Sequence, residues 1–535
     1  GPDAVSRDNA AVFSLMNLFR AAASISLLTL VSRITGVVRD MLIARFFGAS
    51  VQTDAFYVAF RLPNLLRRLF AEGAFQQAFV PMVASVRQTE GEERTKRFVD
   101  HVFSILAPVV ILVSILGVLI APVLVWLIAA GFRSDPEEFS LATSLTRWMF
   151  PYIAFMSLVA MSAAVLNTYK SFRIPAVTPV LLNLSFIACS LLLAPHMSQP
   201  IYALVIAVIL GGIAQLAFQL PALKKIGMIP SFTGFRTALA DSSVIMTMKQ
   251  MVPALFGVAV AQLSILINTN IASHLERGAV TWLNYADRLM EFPTALLGVA
   301  VGTVLLPSLS AAHAAGNEDR YNELLDHGLR LIVLLGIPAA IGLFACADGL
   351  VAFLFGGRAF TGEDVRQTAY GVIGYSVGLL GLIAMKIVAP AFYARKDIRT
   401  PVRVAALSLV CVQVFNLITV PLFHQAGLAL SVGLGSLVNS GTLLYLLRKR
   451  GIYRPLPGWK KHFLAIICSS FVMLCVLLGV QWNIDWSALS DPWIRRAAKV
   501  LAICAFGAAV YGAGMVFFGF RPRDLRPPKD RADEE

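Results

Sequence analysis

The 535-residue chain predicts an all-α integral membrane protein of fourteen transmembrane helices, in two pseudo-symmetric six-helix lobes plus two extra C-terminal helices. Apolar content carries the first part of that reading. The chain is 57% hydrophobic and 14% charged, where an ordinary soluble domain has about 25% charged residues. Its mean hydropathy is +0.73. A membrane span needs about 20 apolar residues. Fourteen segments qualify, which leaves no length for a soluble catalytic domain. An internal repeat carries the second part. NTYKSFRIP at 167–175 matches YARKDIRTP at 393–401, pairing Lys170 with Lys396, Arg173 with Arg399 and Pro175 with Pro401 at an offset of about 226. Pro81 and Pro307 share that offset, and Arg61 and Arg288 lie about 227 apart.

The spans are expected, in order, at 22–48, 54–84, 98–131, 138–168, 174–194, 200–223, 240–274, 279–312, 322–356, 364–394, 400–422, 426–447, 461–482 and 492–519. Alternate loops hold the basic residues: Arg87 to Arg97, Lys170 and Arg173, Lys224 to Arg236, Arg320, Arg395 to Arg399, and Arg448 to Lys461. The opposite loops hold little beyond Arg133, Arg277 and Arg358. Positive loops stay inside, so both termini are expected in the cytoplasm. The net charge of +14 therefore orients the protein and does not mark nucleic-acid binding.

Six helices per repeat unit is an even number, so both halves keep one orientation. Such a parallel repeat is a transporter signature with its site between the halves. The N-lobe is expected over 16–230, the C-lobe over 231–451 and the unrepeated helix pair over 452–520. Residues 1–15 open on a Gly-Pro that resembles an expression scar and are set aside as disordered. The polar, Pro-rich stretch 521–535 is expected to be a disordered cytoplasmic tail.

Several function classes lack their motifs. The six cysteines all lie in apolar segments without a CxxC and read as small buried hydrophobes. The seven histidines form no HExxH, so no metal site is expected. No GxxxxGK[ST] loop is present, so ATP is not expected as a partner. No acid-rich constellation supplies catalytic residues, and no cofactor is implied.

The informative charges lie inside the spans. Residues 27–48 carry Arg33 and Arg39, and residues 54–81 carry Arg61, Arg67 and Arg68, with Asp40, Asp54 and Glu72 as the only acids. A mid-membrane arginine costs about 2.5–3.5 kcal/mol even on the lenient insertion scale. These side chains must face protein or water, and their surplus positive charge points to an anionic cargo. Gly36 lies between Arg33 and Arg39 and permits the first span to bend. Asp54, Arg61, Arg68 and Glu72 fall within about 40° of one another on a 3.6-residue helix, although Pro63 interrupts that ladder. In the eighth span Asn284, Asp287, Arg288 and Glu291 stand within two turns. Arg288, the repeat counterpart of Arg61, would close an anion clamp; the alternative is a neutral charge cluster that joins helices. GVAVG at 298–302 and GYSVG at 374–378 are GxxxG motifs, expected to serve packing within the chain.

These segments carry a resemblance. NLFRAAASISLLTLVSRITGVVRDMLIARFFGAS, TDAFYVAFRLPNLLRRLFAEGAFQQAFVP and NYADRLMEFPTALLGVAVGTVLLPSLS resemble the MurJ (MviN) family of bacterial lipid II flippases, within the multidrug/oligosaccharidyl-lipid/polysaccharide exporter superfamily. The resemblance covers residues 16–520. It implies a flippase that moves lipid II, the undecaprenyl-pyrophosphate-linked peptidoglycan precursor, from the inner to the outer leaflet of the bacterial inner membrane. It also implies that Arg33, Arg39, Arg67 and Arg288 bind substrate. Ser32, Asp54 and Glu72 would support them. The residue pattern itself adds Arg61, Arg68, Asn284, Asp287 and Glu291 around the cavity and Gly36 and Pro63 as hinges. The helical wheel prefers Arg68 to Arg67, and the family pattern prefers Arg67. The last two helices would hold the polyprenyl tail, the chain would act as a monomer among membrane lipids, and membrane potential or an ion would drive the cycle. Export of another polyprenyl-linked glycan, or of drugs, is the alternative within the superfamily. A scaffold for cell-wall enzymes would not need arginines inside its spans.

Overall fold

A computed structural model describes residues 2–526 and 528; the side chains of 2–19, 21–23, 70–73, 261, 299, 300 and 302–304 lie outside that description. Among the described residues every regular element is a helix. The chain divides into two compact units, the first formed by Gly1–Phe47 and Val51–Leu266, the second by Gly48–Ser50 and Ile267–Glu535.

The first unit contains α1 (Pro2–Phe47), α2 (Val51–Leu66), a π-helical stretch (Arg67–Ala74), α3 (Phe75–Glu90) and α4 (Glu92–Leu119). It continues through α5 (Ala121–Ile128), α6 (Pro136–Met149), α7 (Tyr152–Thr168), α8 (Arg173–Ala188), α9 (Tyr202–Lys225), α10 (Phe235–Leu239) and the start of α11 (Ser242–Ser273). Helix α1 includes residues 2–15, the stretch the sequence set aside. Local chemistry starts these helices. Asp135 caps α6 by accepting the backbone N–H groups of Glu137 and Glu138, and Pro136 follows it at the first helical position. The core of this unit stacks Phe75 on Phe79 at 4.8 Å and Phe79 on Phe98 at 5.8 Å, joining α3 to α4.

The second unit contains the end of α11, α12 (Ala279–Ala314), α13 (Glu318–Ala345), α14 (Ala347–Phe355), α15 (Gly362–Val377) and α16 (Leu379–Tyr393). It closes with α17 (Arg399–Phe423), α18 (Gln425–Lys449), α19 (Trp459–Gln481) and α20 (Trp493–Phe517). A Thr361–Asp364 capping box opens α15. The GYSVG motif packs α15 onto α18: a Cβ on Gly378 would stand 2.1 Å from the Gly433 Cα. Gly298 of GVAVG makes room for the Lys386 stem, since a Cβ there would meet its Cγ at 2.5 Å. Gly302 lies outside the described side chains. Both motifs bring elements of one unit together.

Ten helices among the described residues are long and apolar enough to cross a membrane, or eleven with α15 and α16 taken as one span bent by 43°. Three further long helical segments fall outside that set: α1, the α2–π–α3 run and α12. They are the segments that carry Arg33 and Arg39, Arg61 to Arg68, and Asp287 to Glu291. Eleven and three is compatible with the fourteen expected.

The repeat has backbone counterparts. Lys170 and Lys396, paired in sequence, both adopt the left-handed region, with φ of 60° and 62°. Non-glycine residues seldom do so, so the same tight turn ends α7 and α16. The sequence reading missed a second pair. Asp100 of α4 and Asp326 of α13 share the offset of about 226, and each accepts a backbone N–H from the chain that follows its unit's α9 or α18: Ser231 at 2.8 Å and Leu456 at 3.2 Å.

The segment after α9 is tied a second time. Arg94 donates from two guanidinium nitrogens to the Asp241 carboxylate, at 2.7 and 2.8 Å, and His101 Nδ1 lies 2.7 Å from it. Burial raises the Asp241 carboxyl, but the bonds from Arg94 and His101 outweigh it and hold it well below the usual carboxylate range. A carboxyl depressed on folding stabilises above its unfolded value of about 3.9 and loses that contribution as pH falls. The protection factors of the amides in residues 228–243, taken against the intrinsic exchange rate at each pH, are therefore expected to be high at pH 6 and lower at pH 3. Equal protection at pH 6 and pH 3 would contradict this.

One compositional expectation is corrected. Of the six cysteines, all free, Cys189 and Cys346 are buried, three are half-buried and Cys475 is exposed. In a membrane helix the apolar outer face is as hospitable to a thiol as the core, so apolar surroundings in sequence do not imply burial.

Candidate functional site

Within the first unit, α1 presents Ser32, Arg33, Gly36 and Arg39 along two turns. Arg33 is exposed and makes no hydrogen bond or ion pair with the described residues. Arg39 differs sharply: only 13% of its side chain is exposed. Its Nε donates to Asp40 Oδ1 at 3.0 Å and its Nη1 to Asn183 Oδ1 of α8 at 3.0 Å. The Phe186 ring of α8 lies 5.4 Å from the Arg39 guanidinium carbon. Phe186 in turn meets Phe56 and Phe60 of α2 edge-on, at 6.3 and 6.2 Å. One aromatic cluster thus connects the helix beneath Arg39 to the helix that carries the next arginines.

On α2, Asp54 is buried, Arg61 is half-buried and Pro63 is buried inside the helix. At Arg67 the backbone changes from α to π and stays so to Ala74. A π-turn closes i→i+5 bonds, so the 3.6-residue wheel cannot be extended past Leu66. That is the physical reason the wheel is a poor guide to Arg68 and Glu72. Arg67, the first π residue, donates from Nε and Nη2 to Asn64 Oδ1 at 3.0 and 2.9 Å. Arg68 is half-buried and makes no hydrogen bond or ion pair with the described residues. The Glu72 side chain lies outside the description.

Within the second unit, α12 carries Asn284, Asp287 and Arg288, all half-buried. Arg288 Nη1 donates to Glu291 Oε2 at 3.2 Å, with 38% and 41% of those side chains exposed. A pair this exposed contributes about 0–1 kcal/mol, so it fixes Arg288 weakly. Its helix is held firmly instead. Trp282 Nε1 donates to buried Asp364 at 3.0 Å, and Tyr285 stacks on Phe355 at 4.6 Å.

The sequence reading missed Asn183, Phe186 and Asn64, which hold two of the predicted arginines. A polar amide alone in the apolar run PVLLNLSFIA was a usable signal, because such groups in lipid-facing helices need partners. Among the described residues no group of three or more His, Cys, Asp or Glu could hold a metal.

Long apolar helices in two units, with arginines set inside them, define a multi-pass membrane transporter. The fold is shared with a multidrug resistance MATE family transporter of the MOP superfamily in its inward-facing conformation, at TM-score 0.65 and 13% identity over 80% of this chain and 98% of that one. The chain belongs to the Lipid II flippase MurJ family, whose sequence profile matches residues 43–495. It is 49% identical over 508 residues to the Lipid II flippase MurJ of Burkholderia cenocepacia, covering 95% of this chain and 98% of that protein. It also resembles the solved structure of Lipid II flippase MurJ in an inward closed conformation, at TM-score 0.77 and 26% identity over 92% of this chain and 98% of that one.

Proposed function

We propose that this chain is a lipid II flippase of the bacterial inner membrane, moving the undecaprenyl-pyrophosphate-linked head group outward by alternating access for cell-wall synthesis. Family membership with a 49% identical relative carries this reading. The pyrophosphate is the group that hydrocarbon excludes. Guanidinium groups suit it through charge-assisted, bidentate hydrogen bonds. Arg33, Arg39, Arg67 and Arg288 take that role, supported by Ser32, Asp54 and Glu72. The apolar pair α19 and α20 accommodates the polyprenyl tail, so only the head group crosses. Both termini face the cytoplasm, and the chain works as a monomer without ATP. Membrane potential acts on the cationic site at about 2.3 kcal/mol per charge per 100 mV.

The test is rescue of a bacterium depleted of its own lipid II flippase. The wild-type chain is expected to restore growth and shape. Arg33→Ala, Arg39→Ala, Arg67→Ala and Arg288→Ala are each expected to fail while reaching the membrane at normal levels. A wild-type chain that does not rescue would overturn the function, and four variants that all rescue would overturn the site.

A further inference from the structure

Asn183 is 6% exposed on α8 and bonds to α1 on both sides of Gly36. Its Oδ1 accepts from Arg39 Nη1 at 3.0 Å. Its Nδ2 donates to the Ser32 backbone carbonyl at 3.0 Å and lies 3.2 Å from Thr35 Oγ1. The orientation of the amide follows from its partners. Arginine is only a donor and a carbonyl is only an acceptor, so a flipped amide would lose both bonds.

Helix geometry explains how one short side chain spans this stretch. Ser32 and Arg39 are separated by about 10 Å along a helix rising 1.5 Å per residue. Long helical side chains lean back toward the N-terminus, so the Arg39 guanidinium returns over the turn that contains Gly36. Asn183 stands at that turn: a Cβ on Gly36 would lie 3.6 Å from its Nδ2. Thr35 Oγ1 also donates to the Val31 carbonyl at 2.8 Å, which orients its lone pairs toward the amide. Helix α8 is a firm base for this contact. Ser185 Oγ donates to the Ala207 carbonyl at 2.7 Å and Gln215 Nε2 to the Thr178 carbonyl at 2.9 Å, both tying α8 to α9. Gly211 of α9 admits Leu182, whose Cδ1 would be 2.6 Å from a Cβ there.

We infer that Asn183 is a positioning residue that links the rotamer of Arg39 to the bend of α1 at Gly36. In the conformation seen, one amide satisfies both arms. A bend at Gly36 changes the separation of the Ser32 carbonyl and the Arg39 guanidinium, so one arm must release. Asn183 and Asp40 hold Arg39 in the rotamer that offers its remaining nitrogen to an anion, and the pull of the bound anion on that guanidinium loosens the Asn183 arm so that the helix can bend. Cargo binding and the movement of α1 are thereby coupled through a side chain that touches no cargo. The inference rests on the proposed role of Arg39 as a lipid II ligand.

The experiment uses the full chain in proteoliposomes with a fluorescent lipid II, reading half-saturating concentration and flipping rate. Asn183→Leu removes both arms and is expected to raise the half-saturating concentration about tenfold, the scale of one lost buried hydrogen bond. Asn183→Asp keeps an acceptor for Arg39 and loses the donor to Ser32. Its carboxylate also competes with the cargo for Arg39, so it is expected to bind lipid II no better than wild type and to flip about tenfold more slowly. Arg39→Ala with Asn183→Leu is expected to bind no worse than Arg39→Ala alone, because the two act through one contact. Additive losses in that double variant, or wild-type binding and rate in Asn183→Leu and Asn183→Asp, would overturn the inference. If Arg39→Ala binds lipid II normally, the role of Arg39 as ligand is what fails. The rate of Asn183→Asp then decides the coupling: slow flipping upholds a link to the bend, and a wild-type rate ends it.

Discussion

Arg39→Lys is expected to lose lipid II flipping almost as fully as Arg39→Ala, although it keeps the positive charge. Three features of the Arg39 setting demand a guanidinium. Its Nε engages Asp40, its Nη1 engages Asn183, and its carbon lies 5.4 Å from the Phe186 ring. An ammonium is a compact charge on a flexible stem, and it cannot meet two partners in one plane while lying on a ring. Each charge-assisted bond lost from a buried position costs about 1.5–3 kcal/mol, which corresponds to about a ten- to hundredfold loss. Arg33 supplies the contrast on the same helix. It is exposed and has no partner among the described residues, so its charge matters more than its shape. Arg33→Lys is therefore expected to retain several times more activity than Arg39→Lys. Flipping rates in proteoliposomes, normalised to inserted protein, decide this. A wild-type rate for Arg39→Lys would mean that the guanidinium geometry is incidental.

The elements that could be read from sequence share one property: their signals are summed over many residues. Twenty apolar residues announce a span wherever its ends fall, and the recurrence of Lys170 at Lys396 announces a repeat that the backbone repeats as a left-handed turn. The intramembrane arginines were legible because lipid makes each of them costly. What was hidden depended on single contacts between distant helices. Nothing near Arg39 in sequence indicates that α8 would hold it through Asn183, 144 residues away. The helical wheel that favours Arg68 runs across a backbone event, the π-helical stretch from Arg67, which no 3.6-residue period anticipates. The Asp100 and Asp326 pair lay at the same offset as the matches that were noticed, in DH dipeptides too short to stand out.

Asp326 is where the second unit is expected to be most sensitive to one atom group. It is 2% exposed, and four donors from three places converge on its carboxylate. Tyr453 Oη and Trp459 Nε1 each donate to Oδ1 at 2.7 Å, the Leu456 N–H donates there at 3.2 Å, and Arg330 Nε donates to Oδ2 at 2.7 Å. Arg330 then extends to the Leu456 and Pro457 carbonyls at 3.0 and 2.8 Å, with the Trp459 ring 4.9 Å from its guanidinium carbon. The whole connection from α18 to α19 is thus organised by one buried carboxylate. Asp326→Ala leaves Arg330 without its counter-charge and two ring donors without an acceptor. Breaking a buried pair from one side costs about 3–5 kcal/mol. Thermal unfolding of the purified protein is expected to fall by several degrees, and α19 to exchange its amides sooner than the rest of the unit. Asp326→Asn keeps two acceptor lone pairs and is expected to lose roughly half as much. The repeat counterpart calibrates the result. Asp100 accepts from Lys96 Nζ at 2.6 Å and from Ser231 N–H, and 30% of the Lys96 side chain is exposed. Solvent screens that pair and can replace it, so Asp100→Ala is expected to cost clearly less than Asp326→Ala. Equal losses at the two sites would show that burial and donor number are not what sets the strength of these ties.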